Sequence, residues 1–357
     1  MFNFFKSKNT LGIDIGTASI KITELGRRSG RFTLENYGLF ELKGAGNDKN
    51  SPVLGQSILK LPDDEIVFGI KEILKKTGTK SREAVASITS FSTFSTVIEM
   101  PFVSDQDLAK VLPFEAKKYI PIPLNDVILD WNVIGIVNTP GPKEKGALPN
   151  VEIFLAAVHK AEAERYKKII SNAGLNLIAL ELENSSLTRS LLGNDLRPTA
   201  IVNIGGRSTS IFVIDKGYER ISHNYEIGGF EITKSIAQSL NVGLEKAEEL
   251  KRKFGLKQSA ENMVNKAMGS LVDMMIFETK KTIANYETHD RKVERILLVG
   301  GLTNMPEFIN YFKEKLGREV YLGNALSRVI YPGALNPIAK EISSTFAASI
   351  GLAMREK

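Results

Sequence analysis

The chain has 357 residues, 43 % of them apolar and 25 % charged, an ordinary globular balance with room for two domains. It contains no cysteine, which excludes disulfides and thiolate metal sites and suits a reducing compartment. A net charge of +6 is scattered along amphipathic helices, which argues against nucleic acid as a partner.

His159, His223 and His289 share no ligand spacing, so no metalloenzyme follows. No run reaches the ~18 to 20 apolar residues of a membrane span. The first residues, MFNFFKSKN, are too short for a signal-peptide core. They read as a frayed terminus, with light contact to an anionic membrane surface as the alternative.

Residues 11–25, LGIDIGTASIKITEL, read as an apolar strand, a small polar turn and a second, alternating strand. A third strand follows at 31–42, a Gly/Asn/Ser loop at 44–55 and a helix at 63–76, acidic at its start and basic at its end. Residues 84–174 read as an inserted βαβ-type unit. Its strands are AVASIT, STFSTVIEM, 127–137 and 151–158, with a loop at 138–150 and a closing helix at 160–173 stopped by Gly174. Ser104 and Asp107 form a capping box, and Pro113 should kink the helix or reset its start. Trp131 reads as core. Residues 175–192 are a strand leading to a helix. Glu183, at that turn, either polarises a water or is simply an acid favoured at a helix start.

Residues 200–215, AIVNIGGRSTSIFVID, repeat the first hairpin. Asp14 aligns with Asn203, Gly16 with Gly205 and Thr17 near Ser208, as an internal duplication would give. Gly permits φ > 0 and leaves no Cβ between backbone and ligand, so such turns converge N–H groups and hydroxyls on an anion. Two of them across a cleft would grip the β- and γ-phosphates of one nucleotide through Gly16, Thr17, Ser19, Gly205, Gly206 and Ser208. Asp14 offers an oxygen to the water shell of Mg²⁺, and Lys21 a cation to the phosphates. A third strand at 218–227 and a helix opened by Gly228 follow, and Gly228 joins the binding set. In the helix at 244–254, Glu248 and Lys251 share a face, serving either a ribose or an exposed ion pair. A long helix spans about 261–288. The strand at 295–302 runs into Gly300 and Gly301, bare backbone against which a purine can lie. A small-residue helix at 344–355 closes the chain.

This order of phosphate turn, connector helix, second turn, Gly-Gly strand and second connector resembles the superfamily of actin, heat-shock chaperone and sugar-kinase ATPases. The resemblance implies an α/β, actin-like (ribonuclease H-like) two-lobed fold. Within it, LGIDIGTASIKITEL, STVIEMPFVSDQDLAKVLPFEAKKYIPIPLNDVILDW, VEIFLAAVHKAEAERYKKIISNAGL and IGGFEITKSIAQSL with AEELK are most similar to the PilM family of type IV pilus and related type II secretion assembly proteins. The cell-division FtsA family comes next; its chains continue past the last connector into a membrane helix, whereas this sequence stops at Lys357.

The resemblance implies lobe 1 at 1–190 with a 1C subdomain at 84–174, lobe 2 at 191–340, and a connector helix at 341–357 returning to lobe 1. It also implies ATP and Mg²⁺ as cofactors, a place on the cytoplasmic face of the inner membrane, and the N-terminal cytoplasmic peptide of PilN as partner. The peptide would lie in a groove between subdomains 1A and 1C, for which the apolar residues at 91–100 are candidates. Further expected contacts are the PilNO complex, the pilus motor and self-association. Asp14, Glu183 and Asn203 form the catalytic set. Superfamily members place Asp where this chain has Asn203, and the lost charge should weaken metal organisation and water activation. ATP binding with slow or absent turnover is the expectation. The alternative is an FtsA-like filament-forming protein; a metabolic kinase would need an acidic base for which no motif is found.

Overall fold

The structure is a computed structural model describing residues 9–42, 62–137, 149–257 and 262–356. The expected N-terminal fray, the whole Gly/Asn/Ser loop at 44–55 and most of the loop at 138–150 lie outside the described residues.

Lobe 1 begins with a meander, β1 (Thr10–Ile15), β2 (Ser19–Arg28) and β3 (Arg31–Glu41). The helix α1 (Asp63–Thr77) ends at Gly78 in the left-handed conformation. After it come β4 (Glu83–Ile88), β5 (Thr93–Pro101), α2 (Asp105–Ala116), β6 (Val127–Val137), β7 (Asn150–His159) and α3 (Lys160–Asn172). The strand β8 (Asn176–Leu182) leads directly into α4 (Glu183–Leu191).

Lobe 2 repeats the plan with β9 (Thr199–Ile204), β10 (Thr209–Asp215) and β11 (Tyr218–Tyr225). Its helices are α5 (Gly229–Leu240), α6 (Leu244–Phe254) and α7 (Asn262–Tyr286). They are followed by β12 (Arg295–Val299), α8 (Phe308–Leu316), β13 (Val320–Leu322) and β14 (Val329–Ile330). The chain closes with α9 (Ala339–Thr345) and α10 (Ala347–Ala353).

The two large sheets share one topology. Strand order is β14-β3-β2-β1-β4-β8 in the first and β11-β10-β9-β12-β13 in the second. In each, an antiparallel meander continues through its first strand into two parallel strands. The duplication therefore extends beyond the hairpins. Its register corrects one pairing: Gly16 N donates to Ser19 O and Gly205 N to Ser208 O. Ser19, not Thr17, is thus the counterpart of Ser208.

The inserted unit also differs from expectation. The strand β4 belongs to the first large sheet, parallel to β1 and β8; AVASI is buried almost throughout because both of its faces are covered. The separate sheet starts at Thr93, in the order β5-β7-β6. Both β5 and β6 pair antiparallel with β7, so they run in the same direction with α2 crossing between them. This is a split βαβ with β7 slotted in.

The Ser104 side chain caps α2 by accepting from Asp107 N, and the helix runs through Pro113 to Ala116. The helix α3 packs Tyr166, Ile169 and Ile170 on the lobe 1 core. At the far end β14 pairs with β3, so the chain re-enters the first sheet before residue 340. The final helix is broken at Phe346 into α9 and α10.

Both α4 and α10 lie in a core fed by both sheets, where Leu187 and Ile350 meet Leu25, Ile201 and Phe212. Every residue of α10 is buried, and its small side chains allow backbone-to-backbone approach. A Cβ on Gly12 of β1 would lie 1.9 Å from Ser349 O, and one on Gly351 would lie 1.9 Å from Ser186 O of α4. The connectors hold the two lobes on either side of a cleft.

Candidate functional site

The two turns meet across that cleft. Arg207 N donates to Thr17 Oγ1 at 3.2 Å, and a Cβ on Gly206 would lie 2.2 Å from Ala18 Cβ. Both face one cavity of about 1060 Å³, slightly above the usual upper size of small-molecule sites. Gly16, Thr17 and Ser19 line it from lobe 1, and Gly205, Gly206 and Ser208 from lobe 2. Thr17 and Ser208 thus share one cavity. The start of α5 backs the second turn, with Gly229 N donating to Gly205 O at 3.0 Å and Phe230 N to Gly206 O at 2.7 Å.

Gly228 takes a different place. A Cβ there would sit 2.7 Å from Arg207 N and Gly205 O, so it is a packing glycine behind the turn, and Gly229 and Phe230 reach the cavity instead. Asp14, buried at the end of β1, pairs with Lys21 on the neighbouring strand at 3.0 Å. An arriving phosphate would compete with Asp14 for that ammonium. Among the described residues no group of three or more His, Asp and Glu converges as a metal site. The donor set suits Mg²⁺ held through its waters by one carboxylate and by phosphate oxygens.

Glu183 and Asn203 are bonded to each other: Asn203 Nδ2 donates to Glu183 Oε1 at 2.7 Å. Ser90 N approaches Glu183 Oε2 at 3.2 Å. Burial pushes the Glu183 carboxyl above the usual carboxylate range, and the nearby Asp14 charge adds to the rise. A carboxyl whose folded value lies above its unfolded one binds more protons folded than unfolded. Its contribution is fully present below about pH 4.5 and is lost as pH rises through the folded value. Glu183→Gln removes that loss. Urea midpoints measured across pH should show the variant gaining on the wild type as pH rises from about 4.5; parallel curves would contradict the assignment.

On the far wall, Gly300 adopts φ 98° and donates to Ser344 O at 3.0 Å. A Cβ there would strike Ile204 O at 2.0 Å, whereas Gly301 faces open space. Both line the cavity, presenting backbone without a side chain at the place where the sequence reading put a purine. Glu248 and Lys251 line it too and pair at 2.6 Å. Lys251 also donates to Gly229 O at 3.0 Å and Thr233 Oγ1 at 2.8 Å, tying α6 to the start of α5. Burial pushes its ammonium below the usual range, against the pull of Glu248. This pair is built into the wall rather than free on the surface.

Sequence reasoning missed Ser90, Asn184 and Ser210, which complete the buried polar floor beneath Glu183. A serine or asparagine carries no local mark of a partner roughly ninety positions away.

The sequence model for "Type IV pilus assembly protein PilM" matches residues 12–357. Among curated proteins, the cell division protein FtsA of Bacillus subtilis is 23 % identical over 265 residues, covering 69 % of this chain and 58 % of that protein. The Enterococcus faecalis FtsA is 20 % identical over 380 residues, covering 94 % and 82 % respectively. The chain thus spans less than two thirds of the length of the first of these relatives. Among solved structures, a chain of a PilM–PilN type IV pilus biogenesis complex superposes with a TM-score of 0.78 at 21 % identity, over 97 % of this chain and 98 % of that one. MreB 5 of Spiroplasma citri bound to AMPPNP gives a TM-score of 0.56 at 12 % identity, over 96 % and 94 %. The fold is actin-like.

Proposed function

The chain belongs to the PilM family of type IV pilus assembly proteins, and from that premise we propose that it is an ATP-binding adaptor of the inner-membrane pilus assembly complex. The observation carrying this reading is the contact between the two turns over one cavity, Arg207 N on Thr17 Oγ1. Gly16, Thr17, Ser19, Gly205, Gly206 and Ser208 hold the β- and γ-phosphates, Lys21 neutralises them and Asp14 orders the water shell of Mg²⁺. Gly300 and Gly301 take the purine, and Glu248 with Lys251 borders the ribose.

Turnover is slow or absent on this reading. A hydrolytic site needs a base aimed at a water, and Glu183 has its oxygens occupied by Asn203 and Ser90 while Asn203 contributes no charge. A robust steady-state ATPase in the purified protein, abolished by Asp14→Ala, would contradict this.

The proposed partner is the N-terminal cytoplasmic peptide of PilN, which places the protein on the inner face of the membrane; no described helix is long and apolar enough to cross one. The chain superposes on a chain of a PilM–PilN complex, which supports the assignment. Immobilised PilN peptide is expected to capture the intact chain, and failure to do so overturns the adaptor role. A filament-forming role is the second reading, favoured by the FtsA relatives. Strictly monomeric behaviour with ATP on a lipid monolayer would dismiss it.

A further inference from the structure

A continuous polar chain leads out of the cleft to the β5-β7-β6 sheet, and its consequence rests on the nucleotide reading above. Asn203, whose side chain faces the cavity, donates to Glu183 at 2.7 Å. The other Glu183 oxygen accepts from Ser90 N at 3.2 Å. Ser90 Oγ lies 2.7 Å from Asn184 Oδ1, and Asn184 Nδ2 donates to Glu219 Oε2 at 2.7 Å. Glu219 Oε1 accepts from Ser95 Oγ at 2.5 Å. Ser90, Asn184 and Glu219 are all buried.

This chain crosses a junction with no backbone ladder. Ser95 lies on β5 and Glu219 on β11, strands of different sheets that are not hydrogen-bonded through their backbones. Among the described residues, the side-chain contacts that hold the small sheet to lobe 2 include Ser95 on Glu219 and on Ser222, and Glu152 paired with Arg220 at 2.6 Å and with Arg291 at 3.5 Å. Asn224 Nδ2 meanwhile donates to Ser90 O at 3.2 Å, on the turn just before β5.

We infer that Asn184 and Glu219 are positioning residues that couple occupancy of the cleft to the placement of β5. A triphosphate that draws the Asn203 amide to itself withdraws a donor from Glu183. The carboxylate then leans on Ser90, and Ser90, Asn184 and Glu219 pass the shift to Ser95. A buried polar network responds in this way because none of its members can turn to water for a replacement. Coupling is reciprocal, so a protein docked on the small sheet changes nucleotide affinity by the same factor.

The test is hydrogen exchange on the intact chain, with and without ATP and Mg²⁺, read over Thr93–Pro101 and paired with an ATP binding isotherm. In the wild type, nucleotide is expected to change exchange there by about fivefold or more. Ser95→Ala, outside the cavity, should still bind ATP and lose that change, and Asn184→Ala should lose it too. Ser95→Thr keeps the hydroxyl and should retain it. Bound ATP with unaltered exchange at β5 overturns the coupling. So does a nucleotide response that survives in both alanine variants. Absence of any ATP binding defeats the nucleotide reading as well, and the isotherm tells the cases apart.

Discussion

Replacing Gly206 with valine is expected to lower ATP affinity by about a hundredfold or more while the protein still unfolds cooperatively. The new Cβ would start 2.2 Å from Ala18 Cβ, with Ala18 Cα and N both at 3.4 Å. No flexible side chain is available there to give way, so the lobe 1 and lobe 2 turns must separate. Backbone N–H groups on one turn then lose phosphate oxygens held by the other. Hydrogen bonds to a charged group are worth about 1.5–3 kcal/mol each, so losing two removes roughly 3 kcal/mol, which is about a hundredfold in affinity. Gly206 lies on a partly exposed turn outside the hydrophobic clusters, so the fold itself should tolerate the change. Titration of both proteins with ATP and Mg²⁺, alongside urea denaturation, checks the pair of outcomes. Equal affinities would mean that contact between the turns has no part in binding.

Gly351→Val should be strongly destabilising. Gly351 lies in α10 where that helix crosses α4, and a Cβ would meet Ser186 O at 1.9 Å and Ser186 C at 2.6 Å. Backbone cannot rotate away as a side chain can, so the helices must part and α10 must lift from β1. Overpacking a core costs typically about 1–3 kcal/mol, and a clash with main chain on a fully buried connector belongs at or above the upper end. Separation would also break the buried Thr23–Ser349 hydroxyl pair at 2.7 Å. Gly269→Ala, on α7 where nothing lies within 4 Å of the new carbon, serves as the control. It should gain up to about 1 kcal/mol from helix propensity. Urea midpoints that do not separate these two variants would contradict the packing described for α10.

The duplicated hairpins were legible because each combines a local period of two with a turn rich in Gly and Ser, features that lie within fifteen or sixteen residues. The helix α5 was legible for a similar reason, a Gly before the first turn and helical spacing after it. Which strands neighbour which was not. AVASI reads equally well as part of the insert or of the main sheet, and only its parallel pairing with β1 and β8 decides the matter. The pairing of β14 with β3 joins segments roughly three hundred residues apart, a distance over which no sequence period speaks. Within the site, Asp14, Lys21, Asn203 and the glycine turns carried their own signals. Gly228 carried the same signal as its neighbour Gly229, and only packing against Gly205 separates them.

Asn203 links these observations. As an amide it donates to Glu183, whereas a carboxylate at that position would face another carboxylate with Asp14 close by. The slow or absent turnover proposed above and the buried polar connection to the small sheet both trace to this one side chain.

Calorimetric titration of the intact chain with ATP and Mg²⁺ addresses the cleft directly. The account predicts saturable binding of one ATP per chain, weakened about a hundredfold or more in Gly206→Val and weakened also in Lys21→Ala. Heat no greater than dilution in the wild type, or binding that both variants leave unchanged, would contradict it.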